Sequence, residues 1–414
     1  MSVERALPRR RISIFSALRF RDFRLLWTGL LISNVGSWMQ LTATGYYIAQ
    51  LAGNAHTAAL YLGFQGLARA VPVIVLSPVA GLVADIWPRR RILFITNSAM
   101  ALLAMMLAVF TSLGWMNIVG LILINAASAA ALSFDSPARQ SWVPLMVDRE
   151  YVGNAIGLNS IAFNAPAVLG PAIAGLLIVS VGIADSFYVN AIATLAVIVA
   201  LIFMKPAPPS TVRPESWLGS IAYGLRFLFE HAILKWIILI FVVTAILIRP
   251  YSILLPAFVV NTLRGNALDL SLAISATGAG GFFGALLAAY MGTRERRGAI
   301  LLGAAAVMSL GVFSLGFIWS LWLALPVLFI IGTATMLLLG ASNMLIQTLS
   351  PDDVRGRAIS VYTMVALGLV PGGALIVGAI GSLIGLHYTF LLVGAATALF
   401  TLWPWLTRPI LRTV

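Results

Sequence analysis

The fold is decided by the stretch Gly81-Leu82-Val83-Ala84-Asp85-Ile86-Trp87-Pro88-Arg89-Arg90-Arg91, which lies between two long apolar runs. Both flanking runs must return into lipid, so the stretch predicts a short, water-facing turn. Arginines beside a membrane span favour the cytoplasmic side. Gly81 would let a neighbouring helix approach closely, and the arginines offer Asp85 a partner. A basic turn alone would explain the arginines, but not the glycine and the aspartate at this spacing.

Composition places the chain among multi-pass membrane proteins. Of its 414 residues, 61% are hydrophobic and 9% are charged, and the mean hydropathy is +1.00. Soluble domains of this length do not have such a composition. The net charge of +13 does not indicate a nucleic-acid binder, because the basic residues lie in tails and turns. The absence of cysteine excludes disulfides, thiolate metal sites and thiol catalysis. The N-terminal residues predict no removed signal peptide.

Twelve apolar runs of about 20–28 residues are each long enough to cross a bilayer. They cover 23–50, 57–84, 92–113, 116–136, 155–181, 184–204, 233–260, 268–292, 298–317, 320–347, 358–384 and 387–406. A polar tail, 1–22, precedes them, and 408–414 form a second tail. With the N-terminus inside, all Lys and Arg residues except Arg69, Arg249 and Arg264 fall on the inner side. Both termini are therefore predicted to be cytoplasmic.

The chain contains an internal repeat. Residues 153–160 align with 356–363, and the same offset carries Gly81 onto Gly284. A linker, 205–232, contains an amphipathic segment, Trp217–Glu230, and joins the units 23–204 and 233–407. These features predict an all-α membrane protein with twelve transmembrane helices in two six-helix bundles, related by pseudo-two-fold symmetry, with a substrate site between them.

Further motifs carry a family resemblance. The Gly-x-x-x-Asp-x-x-x-Arg-Arg-Arg spacing resembles the loop between helices 2 and 3 of major facilitator superfamily transporters. Four later motifs are Asp135-Ser136-Pro137-Ala138-Arg139-Gln140, Val143-Pro144, Asn154-Ala155-Ile156-Gly157-Leu158-Asn159-Ser160 and Gly170-Pro171-Ala172-Ile173-Ala174-Gly175. The series is similar to the transmembrane secretion-effector branch, which includes enterobactin-type siderophore exporters and macrolide efflux pumps. The resemblance implies the major facilitator fold and an alternating-access transporter, commonly a proton-driven exporter of small amphipathic molecules.

The sequence predicts neither an enzyme nor a cofactor. The three histidines, His56, His231 and His387, are scattered at span ends and form no metal-ligand cluster. There is no phosphate-binding loop of the GxxxxGK[ST] type. No nucleophile, base and orienting group occur together in one region of the sequence.

A charge inside a span is costly in hydrocarbon and therefore informative. Arg69 lies about eleven residues into the second span, one turn after Gln65 on the same face. Pro72 follows and can free a backbone carbonyl. Two interpretations are equally compatible with the sequence: an arginine that binds an anionic or hydrogen-bonding substrate group, or a buried arginine that caps carbonyls.

Arg249 is the second such charge, in the seventh span, and it precedes Pro250 and Tyr251. The resemblance places spans 1, 4, 7 and 10 around the central cavity. Proline disfavours helical geometry in the residue before it, so a kink is expected at Arg249. A substrate site or an outer gate is the preferred interpretation. The alternative is an arginine that reaches the outer headgroups.

Polar residues in other inner spans complete the candidate substrate site. The first span carries two polar stripes, Asn34 with Trp38, and Gln40 with Thr44 and Tyr47. Such residues can instead cross-link helices by hydrogen bonds. The substrate-binding candidates are Arg69, Arg249, Gln65, Asn34, Trp38, Gln40, Tyr47, Tyr251 and Asn343.

Coupling and gating have separate candidates. Proton coupling needs a group that titrates during the cycle, yet no Asp or Glu lies in mid-membrane by this division of the chain. Asp135, at a predicted span end, is the candidate proton carrier, unless it only pairs with Arg139 one turn later. The gating candidates are Gly81, Asp85, Arg89, Arg90 and Arg357. Asp85 is expected to reach the start of the eleventh span, near Arg357, when the pore opens outward.

The sequence thus predicts a monomeric secondary transporter of the inner membrane that exports a small amphipathic molecule. Two arginines and no acid in the core favour a neutral or anionic cargo over a cation. The lipid bilayer is an expected partner, protons are the candidate coupling ion, and nucleic acid is not expected. A lysophospholipid flippase or importer is the alternative within transport. A non-transporting receptor or scaffold is the alternative from another class.

Overall fold

The structure is a computed structural model that describes residues 15–205, 217–291 and 296–414. Most of the predicted N-terminal tail, the proline-rich part of the linker and the turn after the eighth span lie outside the described residues. The same holds for the side chains of Pro78, Asp85, 217–222, Asp353 and Leu367.

Twelve long helical rods run through the described ranges, which contain no strand. The first six are α1 (Arg21–Ala52), α2 (Ala55–Ile86), α3 (Arg89–Ser112), α4 (Ile118–Trp142), α5 (152–180, bent at Pro166) and α6 (Ile183–Phe203). The other six are α7 (Leu234–Thr262), α8 (Ala267–Met291), α9 (Arg297–Leu315), α10 (Leu321–Leu349), α11 (352–384) and α12 (Leu386–Thr407). A linker helix, Trp217–Glu230, stands between the halves with the predicted bounds. The predicted helical fold class is confirmed.

Ten helices in the described ranges are long and apolar enough to cross a membrane. The other two rods differ for local reasons. The helix α1 carries polar residues along its length, and α11 is interrupted by a π-helical turn, Val365–Leu369. Both still pack as full-length members of the two bundles.

The opening turn is as short as predicted, since only Trp87 and Pro88 separate α2 from α3. Proline suits the start of a helix because no intrahelical donor is needed there. The arginines consequently belong to the first turn of α3 rather than to the connection. Arg89 is buried and donates from Nε to Ser141 Oγ at 2.9 Å, while Arg90 donates to the Ile202 carbonyl at 3.0 Å. Both arginines therefore tie the turn to the first half.

The two halves meet along two helix pairs, α2 with α11 and α5 with α8. Small residues allow close approach at both pairs. A Cβ at Gly63 would lie 2.8 Å from the carbonyl oxygen of Ala374, and one at Gly278 would lie 3.0 Å from that of Ala167. Ser275 adds a hydrogen bond from α8 to the carbonyl of Val168 at 3.1 Å.

The halves are closed at one end only. We call the end with the Trp87–Pro88 turn and the starts of α7, α9 and α11 the basic end, and the other the opposite end. At the opposite end His56 Nδ1 lies 2.8 Å from the Ser382 carbonyl, and Asn261 donates to the Ala49 carbonyl at 3.0 Å. Towards the basic end, a Cβ at Gly81 or at Gly356 would meet no atom within 4 Å. The close helix approach expected at Gly81 is therefore absent from this conformation.

Three π-helical turns interrupt the second half, at Thr244–Ile248, Ala257–Thr262 and Val365–Leu369. The irregularity predicted beside Arg249 is present, but its predicted cause is wrong. Arg249 keeps helical angles, with φ of −58° and ψ of −25°. Its amide donates to the Thr244 carbonyl at 2.9 Å, five residues back, so the extra residue of the π turn makes the irregularity. Such turns often occur at functional sites.

Candidate functional site

Gln65 and Arg69 form a polar face on α2. Gln65 is buried and Arg69 is half-buried. Within the described part of the chain, neither side chain makes a hydrogen bond or an ion pair. Buried polar groups normally have a partner, and an unpaired guanidinium is especially costly away from water. This face is therefore the part of α2 best suited to bind a polar group.

Arg69 lies at the level where the two halves separate. On α2, Gly66 contacts Pro371 and Ala374 of α11, and Ile74 contacts Gly368 about two turns later. Arg69 lies between these contacts along the helix, and its face is turned by about 60° from the Gly66 face. Beyond Ile74 the Gly81 position meets open space. The Gln65–Arg69 face therefore lies close to the place where the opening between the halves ends inside the protein.

Arg249 reaches the same region from the second half. Its guanidinium donates from Nη1 to the Ala366 carbonyl at 3.1 Å. Ile253, one turn later on α7, touches the Gly66 position of α2. Arg249 and Arg69 therefore each lie about one helical turn closer to the basic end than the contact between Ile253 and Gly66. Counted along their helices, the two predicted arginines are thus at a similar level.

Three of the four candidates in α1 contact helices of their own half. Asn34 donates to the Ala162 carbonyl of α5 at 2.9 Å, and Gln40 accepts from Asn190 of α6 at 2.6 Å. Trp38 packs at Gly170 of α5, and Tyr47 packs against the central apolar core. Gln40 is buried, so in this conformation it cross-links α1 and α6, and its place in the substrate site stays a prediction.

The remaining two candidates lie on α7 and α10. Tyr251 is buried, with 3% of its surface exposed, and its place in the substrate site stays a prediction, as does that of Asn343. Asn343 is half-buried on α10 and accepts a hydrogen bond from Gln347 at 2.9 Å. Gln65 and Arg69 share one face of α2, while the joint site that they would form with Arg249 stays a prediction.

Asp135 lies in a buried polar cluster within the first half. Asn97 of α3 donates to Asp135 Oδ1 at 2.8 Å, and Arg139 Nε donates to Oδ2 at 3.0 Å. Thr96 adds a longer bond of 3.4 Å. The Arg139 guanidinium lies 4.1 Å from the ring centre of Phe163 on α5, and its Nη1 has no hydrogen-bond partner. The cluster links α3, α4 and α5.

The predicted position of Asp135 at a span end is corrected by this cluster. The helix α4 continues to Trp142, seven residues beyond Asp135, which is about 10 Å at the α-helical rise. Thr96, Asn97 and Phe163 were not among the predicted site residues. Asn97 could have been selected from the sequence, because it is a polar residue inside the apolar run 92–113.

Among the gating candidates, Arg357 contacts the linker helix in this conformation. Arg357, at the start of α11, holds its guanidinium 4.8 Å from the Tyr223 ring of the linker helix. Gly224 of the same helix packs on the backbone of Arg357. The Asp85 side chain lies outside the described residues, so a contact with Arg357 stays a prediction.

Comparison with known proteins identifies the architecture. The family described as transmembrane secretion effectors, within the major facilitator superfamily, matches residues 12–408. The chain belongs to this family. Its members are transporters, so the protein is a multi-pass membrane transporter of the major facilitator superfamily with a small-molecule substrate, and the predicted family is confirmed.

Relatives and solved structures agree with this placement. The transporter is 26% identical to the multidrug efflux pump Tap of Mycolicibacterium fortuitum, over 89% of this chain and 91% of the relative. It is 24% identical to the staphyloferrin A transporter of Staphylococcus aureus, over the same shares of the two chains. The fold matches the nucleoside transporter NupG with a TM-score of 0.72 at 11% identity, covering 91% of this chain and 98% of the other.

Proposed function

We propose that the transporter exports a small amphipathic molecule, neutral or anionic, across the inner membrane by alternating access. The main supporting observation is the Gln65–Arg69 face, whose side chains have no hydrogen-bond or ion-pair partner among the described residues. This face lies where the opening between the halves ends inside the protein. A substrate carboxylate, catecholate or phosphate there would supply the missing acceptor for Arg69 through a charge-assisted hydrogen bond. Arg249 would add a second donor from the other half, since a guanidinium has five N–H groups. Such a substrate would draw the halves together.

Alternating access is supported by the asymmetry of the interface. Within the described residues, the halves touch through small residues and through hydrogen bonds between the side chains of Asn261, Ser275 and His56 and backbone carbonyls. The halves separate towards Gly81 and Gly356. With the basic end cytoplasmic, this conformation would admit a substrate from the cell interior. A substrate can shift the two-state equilibrium only by binding one state better. The expected second state packs α2 against α11 near Asp85 and Arg357.

Proton coupling is assigned to Asp135 in this proposal. Export against a gradient needs an energy source, and the sequence holds no nucleotide-binding loop. Asp135 is buried on α4, and α4 packs against α2 and α3 within the first half. Protonation would remove the charge that holds Arg139, and Arg139 contacts Phe163 of α5, the helix that meets α8 of the other half. A proton on Asp135 can thereby bias how the halves meet.

Export rather than import is supported by the similarity to relatives such as the multidrug efflux pump Tap. The test is substrate flux in proteoliposomes with an imposed pH gradient. Siderophores, anionic drugs, cationic dyes and lysophospholipids serve as candidate cargoes. We expect gradient-dependent flux of an anionic or neutral compound that is lost in Arg69→Ala. Arg149→Ala, at an exposed basic-end position, is the matched control. Flux of cations only, or of lysophospholipids only, would contradict the proposed cargo.

A further inference from the structure

Asn34 of α1 donates a hydrogen bond to a backbone carbonyl of α5 that a proline leaves without its helical partner. In an α-helix the carbonyl of Ala162 would accept from the amide of residue 166, but Pro166 has no N–H. Asn34 Nδ2 donates to this carbonyl at 2.9 Å instead. The first regular segment of α5 ends at Asn164, and the next begins at Pro166. A side chain of α1 therefore replaces the hydrogen bond that the bend of α5 loses.

Two other hydrogen bonds attach the same face of α5 to the N-terminal part of the chain. The Ala17 amide donates to Asn154 Oδ1, and the Trp27 indole donates to the Leu158 carbonyl, both at 2.7 Å. Positions 154, 158 and 162 are four residues apart and therefore share one face. The Leu158 carbonyl lies within the regular segment, where the amide four residues on is its donor. The bond at 162 thus replaces a helical bond, whereas the bond at Leu158 is additional.

The bend directs the second segment of α5 onto the other half. Just beyond Pro166, a Cβ at Gly278 of α8 would lie 3.0 Å from the Ala167 carbonyl, and Ser275 donates to the Val168 carbonyl at 3.1 Å. Both contacts lie within two residues of the bend. The angle of the bend therefore decides whether these contacts form, and a hydrogen bond that fixes the angle favours the conformation that has them.

The second half contains the same arrangement with a different donor. Ala366 lies in the π-helical turn of α11, where the donor five residues on would be Pro371, which has no N–H. Arg249 of α7 donates to the Ala366 carbonyl at 3.1 Å. The internal repeat carries residue 162 onto 365, the position before Ala366. In both halves, a side chain of the first helix thus supplies the donor that a proline removes from the fifth.

We propose that Asn34 is a positioning residue for transport, because its bond to Ala162 holds the bend of α5 and favours the conformation with the open basic end. This role rests on the alternating access proposed above. Asn34 acts through α5 and not by binding the cargo. Loss of its side-chain donor would leave a carbonyl unpaired in the bent helix, so the bent conformation would lose population.

The test measures the populations of the two conformations in the purified full-length chain. Spin labels at Gly153→Cys on α5 and Ala289→Cys on α8 report the distance between these helices, since both positions are exposed near the basic end and the chain has no cysteine of its own. We expect Asn34→Leu to lower the ratio of the longer to the shorter distance about threefold, the effect of one hydrogen bond between membrane helices. Asn34→Ala is the second variant if Asn34→Leu is not monodisperse.

A second background separates this role from direct contact with the cargo and from general support of α5. Pro166→Ala returns an amide to position 166, so the Ala162 carbonyl regains its helical donor. In that background we expect Asn34→Leu to cause no further shift. Trp27→Phe is the matched control, and any effect of it should be the same in both backgrounds, because its acceptor keeps a helical donor. An equal shift by Asn34→Leu in both backgrounds would overturn the proposal.

The same distances separate a failure of this inference from a failure of alternating access. Two populations in the parent that Asn34→Leu leaves unchanged would contradict the role of Asn34 alone. A single distance in the parent and in every variant would contradict alternating access, and the role of Asn34 with it.

Discussion

Arg249 donates a hydrogen bond to the carbonyl oxygen of Ala366 across 3.1 Å, which joins α7 to the π-helical turn of α11. A π turn leaves carbonyl groups without their usual i+4 donor, so this acceptor is available to a side chain. Arg69 has the same charge at a similar level, but it has no hydrogen-bond or ion-pair partner among the residues that the structure describes. The two arginines therefore differ in what their removal should do.

Arg69→Ala should weaken substrate binding by about 1.5–3 kcal/mol, the range for a hydrogen bond to a charged group. Arg249→Ala should weaken it by a similar amount and also lower thermal stability, because the Ala366 carbonyl loses its donor. Arg→Lys should restore only part of the binding, since an ammonium lacks the planar fork of donors. Calorimetry on monodisperse protein measures both effects. If both alanine variants bind a transported substrate as tightly as the parent, the arginines are structural.

Asp135→Asn should abolish flux driven by a pH gradient while substrate binding is nearly unchanged. It should also destabilise the fold by about 3–5 kcal/mol, because Arg139 would be left as an unpaired buried charge. Adding Arg139→Gln should recover stability but not coupling. Glu230→Gln, in an exposed ion pair with Arg226, is the control. Unchanged gradient-driven flux in the double variant would remove Asp135 from the mechanism.

Asp85→Asn should favour the state in which the basic end is open. The expected latch exchanges the Tyr223 contact of Arg357 for Asp85, and its loss should shift the equilibrium by about 1–3 kcal/mol, a typical coupling energy. Because the chain has no cysteine, spin labels at Ile86→Cys and Ser360→Cys report the distance between α2 and α11. A distance distribution identical to that of the parent would eliminate the latch.

Gly63→Ala and Gly81→Val should shift the same equilibrium in opposite directions. A methyl group at Gly63 would press on the Ala374 carbonyl and open the opposite end. A side chain at Gly81 meets open space here, so it should be tolerated in this conformation and obstruct the closed basic end. The same label pair should report a shorter mean distance for Gly63→Ala and a longer one for Gly81→Val. Shifts in one common direction would show that these glycines do not mark alternate closures.

Single cysteines test the orientation. Gly53→Cys, in the turn between α1 and α2, should react with an impermeant maleimide added to intact cells. Trp87→Cys, in the turn between α2 and α3, should react only after permeabilisation, because the arginine-rich side is expected to be cytoplasmic. The reverse labelling pattern would place the basic end outside and invert the proposed direction of transport.

The sequence by itself determined the helices, the tight turn at Trp87–Pro88, the linker helix and the family. These features follow from local patterns. A bilayer forces an apolar run of about 20 residues to satisfy its backbone internally as a helix, and proline and glycine mark the ends. Arg69 with Gln65 could also be selected, because a charge within an apolar run stands out and the i, i+4 spacing fixes their common face.

Only the tertiary structure decided which polar residues share a site. Asp135 was predicted at the end of its span, yet Asn97 and Arg139 hydrogen-bond it inside the first half. Phe163 of α5 packs on Arg139. Gln40 has suitable chemistry for a substrate site, yet in this conformation it is hydrogen-bonded to Asn190 of α6. Periodicity fixes the face that a residue occupies on its own helix. Which helix or opening meets that face depends on packing between segments far apart in the chain, and a single sequence does not encode that packing as a local pattern.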